Sequence, residues 1–506
     1  MTRWSWVIDQ TKCIGCHACT TACKSENNVA VGVFRTWVKN VDVGTFPDVK
    51  RHFAVLRCNH CEDAPCVAIC PTTAMYQRPD GLVDFDESIC IGCKACMQAC
   101  PYDAIYMDPD SNTAAKCNFC SHRVDEGLLP ACVVVCPVEA LVFGDMDDPT
   151  SRVSREIAAK KVTVRRPEQR TRPKAFYIGA HEAALDPLAA EHEEIYMWSD
   201  TGDRRPETGA VRSPVSGIRS PVPRVSYDIP RQRTWGWKVS SYIWTKSLAA
   251  GGGLLAAGAY LFGSGGGSAF ERLFAPLLAL VALGATGLLL VADLKRPERF
   301  WTILVRPQWR SWLARGAFII TAYGALLTIW LWFAWQGNGR ALGVLAWPTA
   351  ILAMLTSIYT AFLFAQCEGR DLWQDRRLLA HLFLHPVIAG VSAQLIAAPL
   401  VTGELVTGGG TDLALVLALA AFLVFGLGDA FGRHATANAA AAARQLSSGR
   451  QAWMFWSALV IGAAIPALLL IGAWPAAGPA AGAMALVGLW LHSHALILAG
   501  QGPAIS

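Results

Sequence analysis

The chain has 506 residues, which is too long for one hydrophobic core, so several domains are expected. Hydrophobic residues make up 53% of the chain, yet residues 1–150 carry 12 basic and 19 acidic side chains, a net charge of −7. The whole chain has a formal net charge of +5, so the remainder is basic. An acidic first region argues against nucleic acid as a partner.

Sixteen of the 17 cysteines lie between Cys13 and Cys136. Residues 90–101 read CIGCKACMQACP, which is the Cys-x2-Cys-x2-Cys-x3-Cys-Pro run that holds iron–sulfur clusters in bacterial ferredoxins. The sixteen cysteines fall into four groups of four: Cys13, Cys16, Cys19 and Cys23; Cys58, Cys61, Cys66 and Cys70; Cys90, Cys93, Cys96 and Cys100; Cys117, Cys120, Cys132 and Cys136. The count predicts four [4Fe–4S] clusters with these sixteen cysteines as the metal ligands.

In ferredoxins the last cysteine of one run serves the cluster of another run. This rule predicts that Cys100 joins the run that starts at Cys58, and that Cys70 joins the run that starts at Cys90. In the same way, Cys136 would join the first run and Cys23 the fourth. The result is two ferredoxin-like modules of α+β type, one inserted in the other.

Other uses of cysteine are less favoured by the spacing. Structural zinc sites do not usually come as quadruplets with trailing Cys-Pro junctions. Residues 13–17 also match the Cys-x2-Cys-His signature of c-type haem attachment, but Cys19 completes the ferredoxin spacing instead. Disulfides suit secreted proteins, and the start of the sequence has neither an apolar signal segment nor a twin arginine.

Residues 1–180 are assigned to the four-cluster domain, and residues 181–236 are predicted to be a linker. The stretch 203–235 is rich in Arg, Pro, Ser and Gly and has no apolar periodicity. Its arginines could contact lipid headgroups or a partner subunit, and a solvated tether is an equally good interpretation.

From residue 237 to 506 the sequence predicts an all-α bundle that spans a lipid bilayer. Eight apolar stretches are long enough to cross it. They are residues 239–263, 273–293, 315–335, 344–366, 380–402, 412–431, 452–474 and 479–500. With eight spans, loops on the side of the cysteine-rich domain carry twelve basic residues and the opposite loops carry two, which favours a cytoplasmic location for that domain at the cytoplasmic membrane. The alternatives are that the acidic domain docks on these basic loops, which would produce part of the bias, and that a partner with a twin-arginine signal carries the domain outward.

Ionisable residues inside membrane helices are costly and are therefore functional candidates. Here they gather in the half of the bundle nearest the cysteine-rich domain. Quinone reduction needs hydrogen-bond donors and a proton route there, so the predicted quinone-pocket residues are Tyr242, Lys246, Asp293, Tyr359, His381 and Asp429. The alternatives are interfacial positions for the acids and Tyr359, and a snorkelling side chain for Lys246.

Haem b between the helices is a rival membrane cofactor, and it needs histidines that face each other from different spans. His381 and His385 lie four apart on one predicted helix, while His492 and His494 lie two apart on another. This arrangement predicts that no haem is bound.

Residues 13–137 resemble the four-cluster electron-transfer subunits of complex iron–sulfur molybdoenzymes, a class that includes dimethyl sulfoxide, polysulfide, tetrathionate and formate enzymes. Some relatives, such as nitrate reductases, have tryptophan in place of one cysteine of the third run and carry a [3Fe–4S] centre. Cys93 is present here, so the resemblance implies four [4Fe–4S] clusters.

The second half resembles the eight-span polysulfide reductase-type membrane subunit (NrfD-like), a quinone-reactive family without haem. The matching segments are residues 235–237 with Tyr242, residues 292–300, residues 358–360, residues 372–373 and residues 499–501. The resemblance implies that Tyr359 lines the quinone pocket and that the first span contributes a polar group, here Lys246. The first-span histidine of the family has no counterpart in this sequence.

Together these features predict a quinone-reactive component of a multi-subunit oxidoreductase. Electrons would pass between membrane quinone and a separate molybdopterin subunit, containing molybdenum or tungsten, that acts on a sulfur compound, sulfite or formate. The alternatives are a subunit of a hydrogenase or of a redox-linked proton pump.

Overall fold

A computed structural model describes residues 2–45, 47–192, 223–232, 234–263, 268–402, 410–472 and 477–506. The chain forms two compact units. The first comprises Met1–Ala68, Thr73–Gln232 and Ala504–Ser506, and the second comprises Ile69–Thr72 and Arg233–Pro503. The first unit contains strands and short helices and the second is helical. This confirms the predicted fold class, an α+β domain followed by a helical bundle.

The first unit is built on two four-stranded sheets with the strand orders β8-β1-β10-β9 and β11-β12-β2-β3, and on two hairpins, β4-β5 and β6-β7. The strands are β1 Trp4–Asp9, β2 Thr36–Thr45, β3 Asp48–Arg57, β4 Met75–Gln77, β5 Val83–Phe85, β6 Ile105–Met107, β7 Ala114–Lys116, β8 Leu141–Asp145, β9 Val162–Thr163, β10 Ala175–Ile178, β11 Glu191–His192 and β12 Arg224–Tyr227. The helices are α1 Ala18–Glu26, α2 Pro65–Ile69, α3 Ala95–Ala99, α4 Ser121–Val124, α5 Ala131–Val134, α6 Arg152–Ala159 and α7 Glu182–Leu185.

The predicted linker, residues 181–236, overlaps this first unit. Helix α7 lies within it, and β12 pairs with β2 in antiparallel register, with Val225 opposite Val41. Val225 is buried in a cluster with Trp37 and Leu56. The first unit therefore extends to Gln232 rather than ending at residue 180, while residues 193–222 lie outside the described residues.

The four cysteine runs share one backbone feature, a residue in the left-handed conformation at the same position of each run. The residue before the second cysteine of each Cys-x2-Cys pair has a positive φ, and these residues are Gly15 (68°), His60 (43°), Gly92 (66°) and Phe119 (61°). The third residue after the last cysteine of the second, third and fourth runs repeats the feature, at Thr73, Asp103 and Glu139. Left-handed residues turn successive backbone N–H groups inward, which creates a concave pocket suited to an anionic group.

The second unit consists of eleven described helices. They are α8 Trp237–Leu261, α9 Ala275–Asp293, α10 Thr302–Val305, α11 Trp312–Trp335, α12 Gly339–Ala365, α13 Arg377–Thr402, α14 Gly410–Phe431, α15 Ala437–Ser448, α16 Ala452–Leu459, α17 Ile465–Ile471 and α18 Ala477–Gly500. A π-turn at Phe270–Phe274 leads into α9, and another at Val460–Ala464 joins α16 to α17.

Seven helices in the described part of the chain are long and apolar enough to cross a membrane. They correspond to the second to eighth predicted spans, although residues 473–474 of the seventh lie outside the described residues. The first predicted span, residues 239–263, is helical as α8 but is not among the seven. Because α8 carries Lys238 and Lys246 among many small residues, its average hydropathy is lower than that of its neighbours.

Helices α8 and α13 approach each other through two glycines. A Cβ atom added at Gly251 would overlap the carbonyl oxygen of Pro386 and would lie 2.5 Å from the backbone nitrogen of Gly390. Small residues at such a crossing let the backbones come together, which is how helices gain packing energy in lipid.

We expect Gly251→Ala to destabilise the bundle by about 1–3 kcal/mol, because the added methyl group meets backbone that cannot move independently of its helix. The measurement is the thermal unfolding midpoint of the protein in detergent. Gly284→Ala in α9 is the matched control, since no atom lies within 4 Å of the added Cβ. Equal midpoints for the two variants would contradict the close approach.

Candidate functional site

Two cavities in the first unit are lined by cysteines from different runs. Cys13, Cys16, Cys19 and Cys136 surround one cavity. Cys23, Cys117, Cys120 and Cys132 surround the other. In each case three cysteines come from one run and the fourth is the last cysteine of the other run. This is the combination that the ferredoxin spacing predicts for the outer module.

A third combination is visible in the electrostatics of the inner module. Burial raises the pKa of the Cys66 thiol, and the neighbouring Cys100, Cys58 and Cys61 raise it further. These four cysteines therefore lie close together although Cys100 belongs to the following run. The association of Cys70 with Cys90, Cys93 and Cys96 stays a prediction.

The thiols of these sets are poorly solvated. Burial raises the pKa of Cys13 and of Cys100 to about 11 and that of Cys132 to about 12. At neutral pH such thiols stay protonated until a metal centre displaces the protons, so cluster binding would release protons and weaken as the pH falls. Four convergent thiols around one cavity are the donor set that [4Fe–4S] clusters require, and the residues therefore fit that cofactor.

Backbone and side-chain N–H groups point at several of the sulfur atoms. The amides of His60, Ala114 and Ala140 donate to the Sγ atoms of Cys58, Cys90 and Cys136 at 3.4, 3.5 and 3.3 Å. The side-chain amide of Asn27 donates to Cys120 Sγ at 3.6 Å. Hydrogen bonds to sulfur stabilise negative charge there and are among the factors that set cluster potentials.

Arg57 is completely buried, and its positively charged side chain lines the cavity of Cys23, Cys117, Cys120 and Cys132. Its guanidinium donates to Cys132 Sγ at 3.3 Å and lies over the ring of Trp6 at 4.2 Å. Cys132, Cys117 and Cys19 all raise its pKa. Arg57 therefore stands between the two outer cavities, whose bound anionic groups would compensate its charge.

The cavity that contains Cys16 reaches the surface of the first unit, because Cys16 is exposed. Three large apolar side chains close to this set in sequence are also exposed: Ile14 (57%), Val134 (63%) and Val135 (41%). Large apolar side chains that are exposed close to a surface site are candidates for a protein–protein contact.

In the second unit, three of the predicted quinone-pocket residues come together: Lys246, Tyr242 and Tyr359. The lysine is fully buried; its Nζ donates to the carbonyl oxygen of Ser357 at 3.1 Å and to the hydroxyl of Thr360. The same nitrogen lies 4.5 Å from the ring centroid of Tyr359 and 6.0 Å from that of Tyr242. Lys246 is thus turned into the bundle, and the snorkelling alternative is wrong.

Two other predicted residues form a second group. His381 Nε2 lies 2.8 Å from a carboxylate oxygen of Asp429, which joins α13 to α14. His492 of α18 packs its ring 4.7 Å from that of His381, and His385 completes a buried histidine cluster. Asp293 ends α9 and is partly buried.

The histidine cluster was missed by sequence reasoning. The spacing predicts two separate pairs, His381 with His385 and His492 with His494, and no facing histidines that would hold haem b between helices. This premise is wrong, because α13 and α18 pack against each other and bring His492 to His381. The sequence does not show which helices are neighbours, so it could not join His492 to His381. The only sequence signal for the cluster is that the histidines lie inside predicted membrane helices.

Comparison with known proteins gives matches to both halves of the chain. Residues 5–71 and 49–146 match two family models described as 4Fe–4S dicluster domains, and residues 226–503 match the family described as polysulphide reductase, NrfD. The last match covers more than half of the chain.

Curated relatives match the first half. A tetrathionate reductase subunit of Salmonella typhimurium is 42% identical over 202 residues, which are 39% of this chain and 80% of the relative. A polysulfide reductase chain of Wolinella succinogenes is 41% identical over 35% of this chain and 94% of its own length. The iron–sulfur subunit ArrB of arsenate respiratory reductase from a Shewanella species is 40% identical over 35% of this chain and 96% of its own length.

These matches define the class as a multi-span iron–sulfur membrane protein whose relatives are subunits of reductases. The protein belongs to the polysulphide reductase NrfD family and carries, fused ahead of that domain, an iron–sulfur subunit of the 4Fe–4S dicluster type. The resemblance inferred from the sequence is thereby confirmed.

Proposed function

We propose that this chain conducts electrons between a separate molybdopterin-containing catalytic subunit and membrane quinone, with four [4Fe–4S] clusters held by its sixteen N-terminal cysteines. The observation that carries the proposal is the gathering of cysteines from non-consecutive runs around common cavities, in a chain whose second half is an NrfD domain. Such clusters accept and release single electrons when bound.

The positions of the side chains support an order for the cysteine sets. Arg57 adjoins both the set that contains Cys19 and the set that contains Cys132. Burial raises the pKa of Cys117, and the charge of Cys58, the first cysteine of the inner module, raises it further, so these two cysteines lie close together. The order along the proposed path is therefore the Cys13 set, the Cys117 set and the Cys58 set, and the Cys90 set is the predicted companion of the Cys58 set in the inner module.

The surface around Cys16 supports the position of the partner. Electron transfer between proteins requires a redox centre near the surface, and Cys16 is the exposed member of the sixteen cysteines. The apolar side chains of Ile14, Val134 and Val135 beside it would be covered by the catalytic subunit. The relatives named above are subunits of tetrathionate, polysulfide and arsenate reductases, which supports a molybdenum or tungsten enzyme as that partner.

Tyr359, Tyr242 and Lys246 are the best-supported quinone ligands. Tyr359 packs directly against Gly316 of α11, where an added Cβ would overlap the tyrosine ring. The side-chain nitrogen of Lys246 has neutral oxygens as hydrogen-bond partners, so it can also donate a hydrogen bond to a quinone carbonyl. The excess of basic residues in alternate loops of the predicted bundle supports a cytoplasmic location for the iron–sulfur domain.

Isolation of the native complex tests the partner. We expect a large subunit to co-purify with this protein and to contribute molybdenum or tungsten, which elemental analysis by mass spectrometry detects. Nickel in the large subunit would instead indicate a hydrogenase, and co-purification of no redox subunit would contradict the proposal.

Arg57→Met should lower the reduction potential of the clusters in the two outer cavities. A buried positive charge favours the reduced, more negative state, and its loss at this distance is worth on the order of 100 mV. The measurement is a redox titration followed by electron paramagnetic resonance.

Arg57→Lys is the matched control because it keeps the charge. Equal shifts for both variants, with iron content unchanged, would show that Arg57 acts through packing on Trp6 instead.

Tyr359→Phe should reduce quinone turnover about tenfold, the value of one hydrogen bond to the headgroup, and leave all cluster signals intact. Tyr323→Phe is the control, since Tyr323 is also a buried membrane tyrosine but donates to the carbonyl oxygen of Ala249. Loss of cluster signals in Tyr359→Phe, or equal turnover in the two variants, would contradict the assignment.

A further inference from the structure

Three histidines in the membrane unit turn ring nitrogens towards one another in an apolar environment. One nitrogen each of His381, His385 and His492 lies within 4.8 Å of the other two, and all three residues are buried. His381 Nδ1, His385 Nε2 and both ring nitrogens of His492 have no hydrogen-bond partner among the described residues.

Unsatisfied polar atoms are expensive in residues as fully buried as these. Each buried nitrogen without a partner costs about 1–3 kcal/mol in mutational data, and the penalty falls on three residues at one spot. A site that gathers several such atoms therefore indicates a ligand that satisfies them together.

The chemistry of the donors selects the ligand. Imidazole nitrogen is a preferred ligand of zinc, copper, iron and nickel ions. Three points that lie within 4.8 Å of one another share a centre no more than about 2.8 Å from each, and metal–imidazole bonds of about 2.0–2.1 Å follow after a shift of less than 1 Å per ring. The ring centroids of His381 and His492 are only 4.7 Å apart, which leaves no room for a porphyrin between them.

Asp429 supplies the second part of a metal site. Its carboxylate accepts a hydrogen bond from His381 Nε2 at 2.8 Å, which leaves the partnerless Nδ1 of this imidazole as the nitrogen available to a metal ion. A carboxylate behind a ligating histidine fixes the ring and increases its basicity. The other carboxylate oxygen of Asp429, Oδ1, lies 3.8 Å from a guanidinium nitrogen of Arg377 and forms an ion pair with it.

We propose that His381, His385 and His492 bind one transition-metal ion within the helical bundle, with Asp429 as a positioning residue. The site is distinct from the iron–sulfur sites of the first unit, and it goes beyond the proposed function because it assigns His381 and Asp429 to a metal rather than to quinone. Three histidine ligands leave a fourth coordination position open, as in catalytic zinc sites.

The test is metal analysis of the full-length protein, purified with an affinity tag that contains no histidine. Samples are dialysed against Zn²⁺, passed through a desalting column and analysed by mass spectrometry for zinc, copper, nickel, cobalt and iron. We expect one ion per protein molecule in addition to the cluster iron. Zinc-edge X-ray absorption should show imidazole nitrogens at about 2.0–2.1 Å.

His381→Gln, His385→Gln and His492→Gln should each lose this ion while cluster iron and elution volume stay unchanged. His494→Gln is the matched control: His494 lies two residues further along α18 and pairs with Ser240 at 3.0 Å, so this variant should keep the ion. Asp429→Asn should keep the ion with an affinity reduced about 10- to 100-fold.

Two results would overturn the proposal. One is wild-type protein that carries no additional metal and takes up none from the zinc dialysis, which would mean that water fills the cluster. The other is equal metal content in His492→Gln and His494→Gln, which would place the ion elsewhere.

Discussion

The organisation of the first unit depends on one constraint, which is that thiols from distant runs must converge on common cavities. Cys136 closes the cavity of the first run, and Cys23 closes the cavity of the fourth. The outer module can exist only if the chain returns to its start, and it does so through β8, which pairs with β1 in the same sheet. The strands, the left-handed turns and the short helices all serve to hold these returns in register.

The membrane unit depends on a related constraint, the cost of polar groups in a low-dielectric interior. Lys246 and the histidine cluster lie inside the bundle, where each polar atom must find a partner or a ligand. Lys246 finds backbone and hydroxyl oxygens of α12. Among the described residues, the histidine cluster of α13 and α18 finds one carboxylate, that of Asp429, and this contrast separates a satisfied polar group from one that is prepared for a ligand.

The sequence predicted most of the architecture because its strongest signals are local. Cysteine spacing identifies cluster runs, and the ferredoxin rule already joins Cys136 to the first run. Apolar stretches locate the membrane helices, although α8 falls short of the hydropathy of the other seven since it carries Lys246. What spacing could not reveal is pairing: β12 looked like linker because its partner, β2, lies almost 190 residues earlier, and His492 could not be joined to His381 without knowledge of which helices are neighbours.

The nesting of the two modules also bears on how the protein is made. The cysteines of the inner set, Cys58 to Cys100, emerge from the ribosome within 43 residues of one another, whereas Cys13 must wait for Cys136. At about 5–20 residues per second this is a delay of roughly 6–25 s, during which Cys13, Cys16 and Cys19 lack Cys136, the cysteine that completes their cavity. The inner module is therefore the first that can be completed during synthesis, and the outer module closes around it.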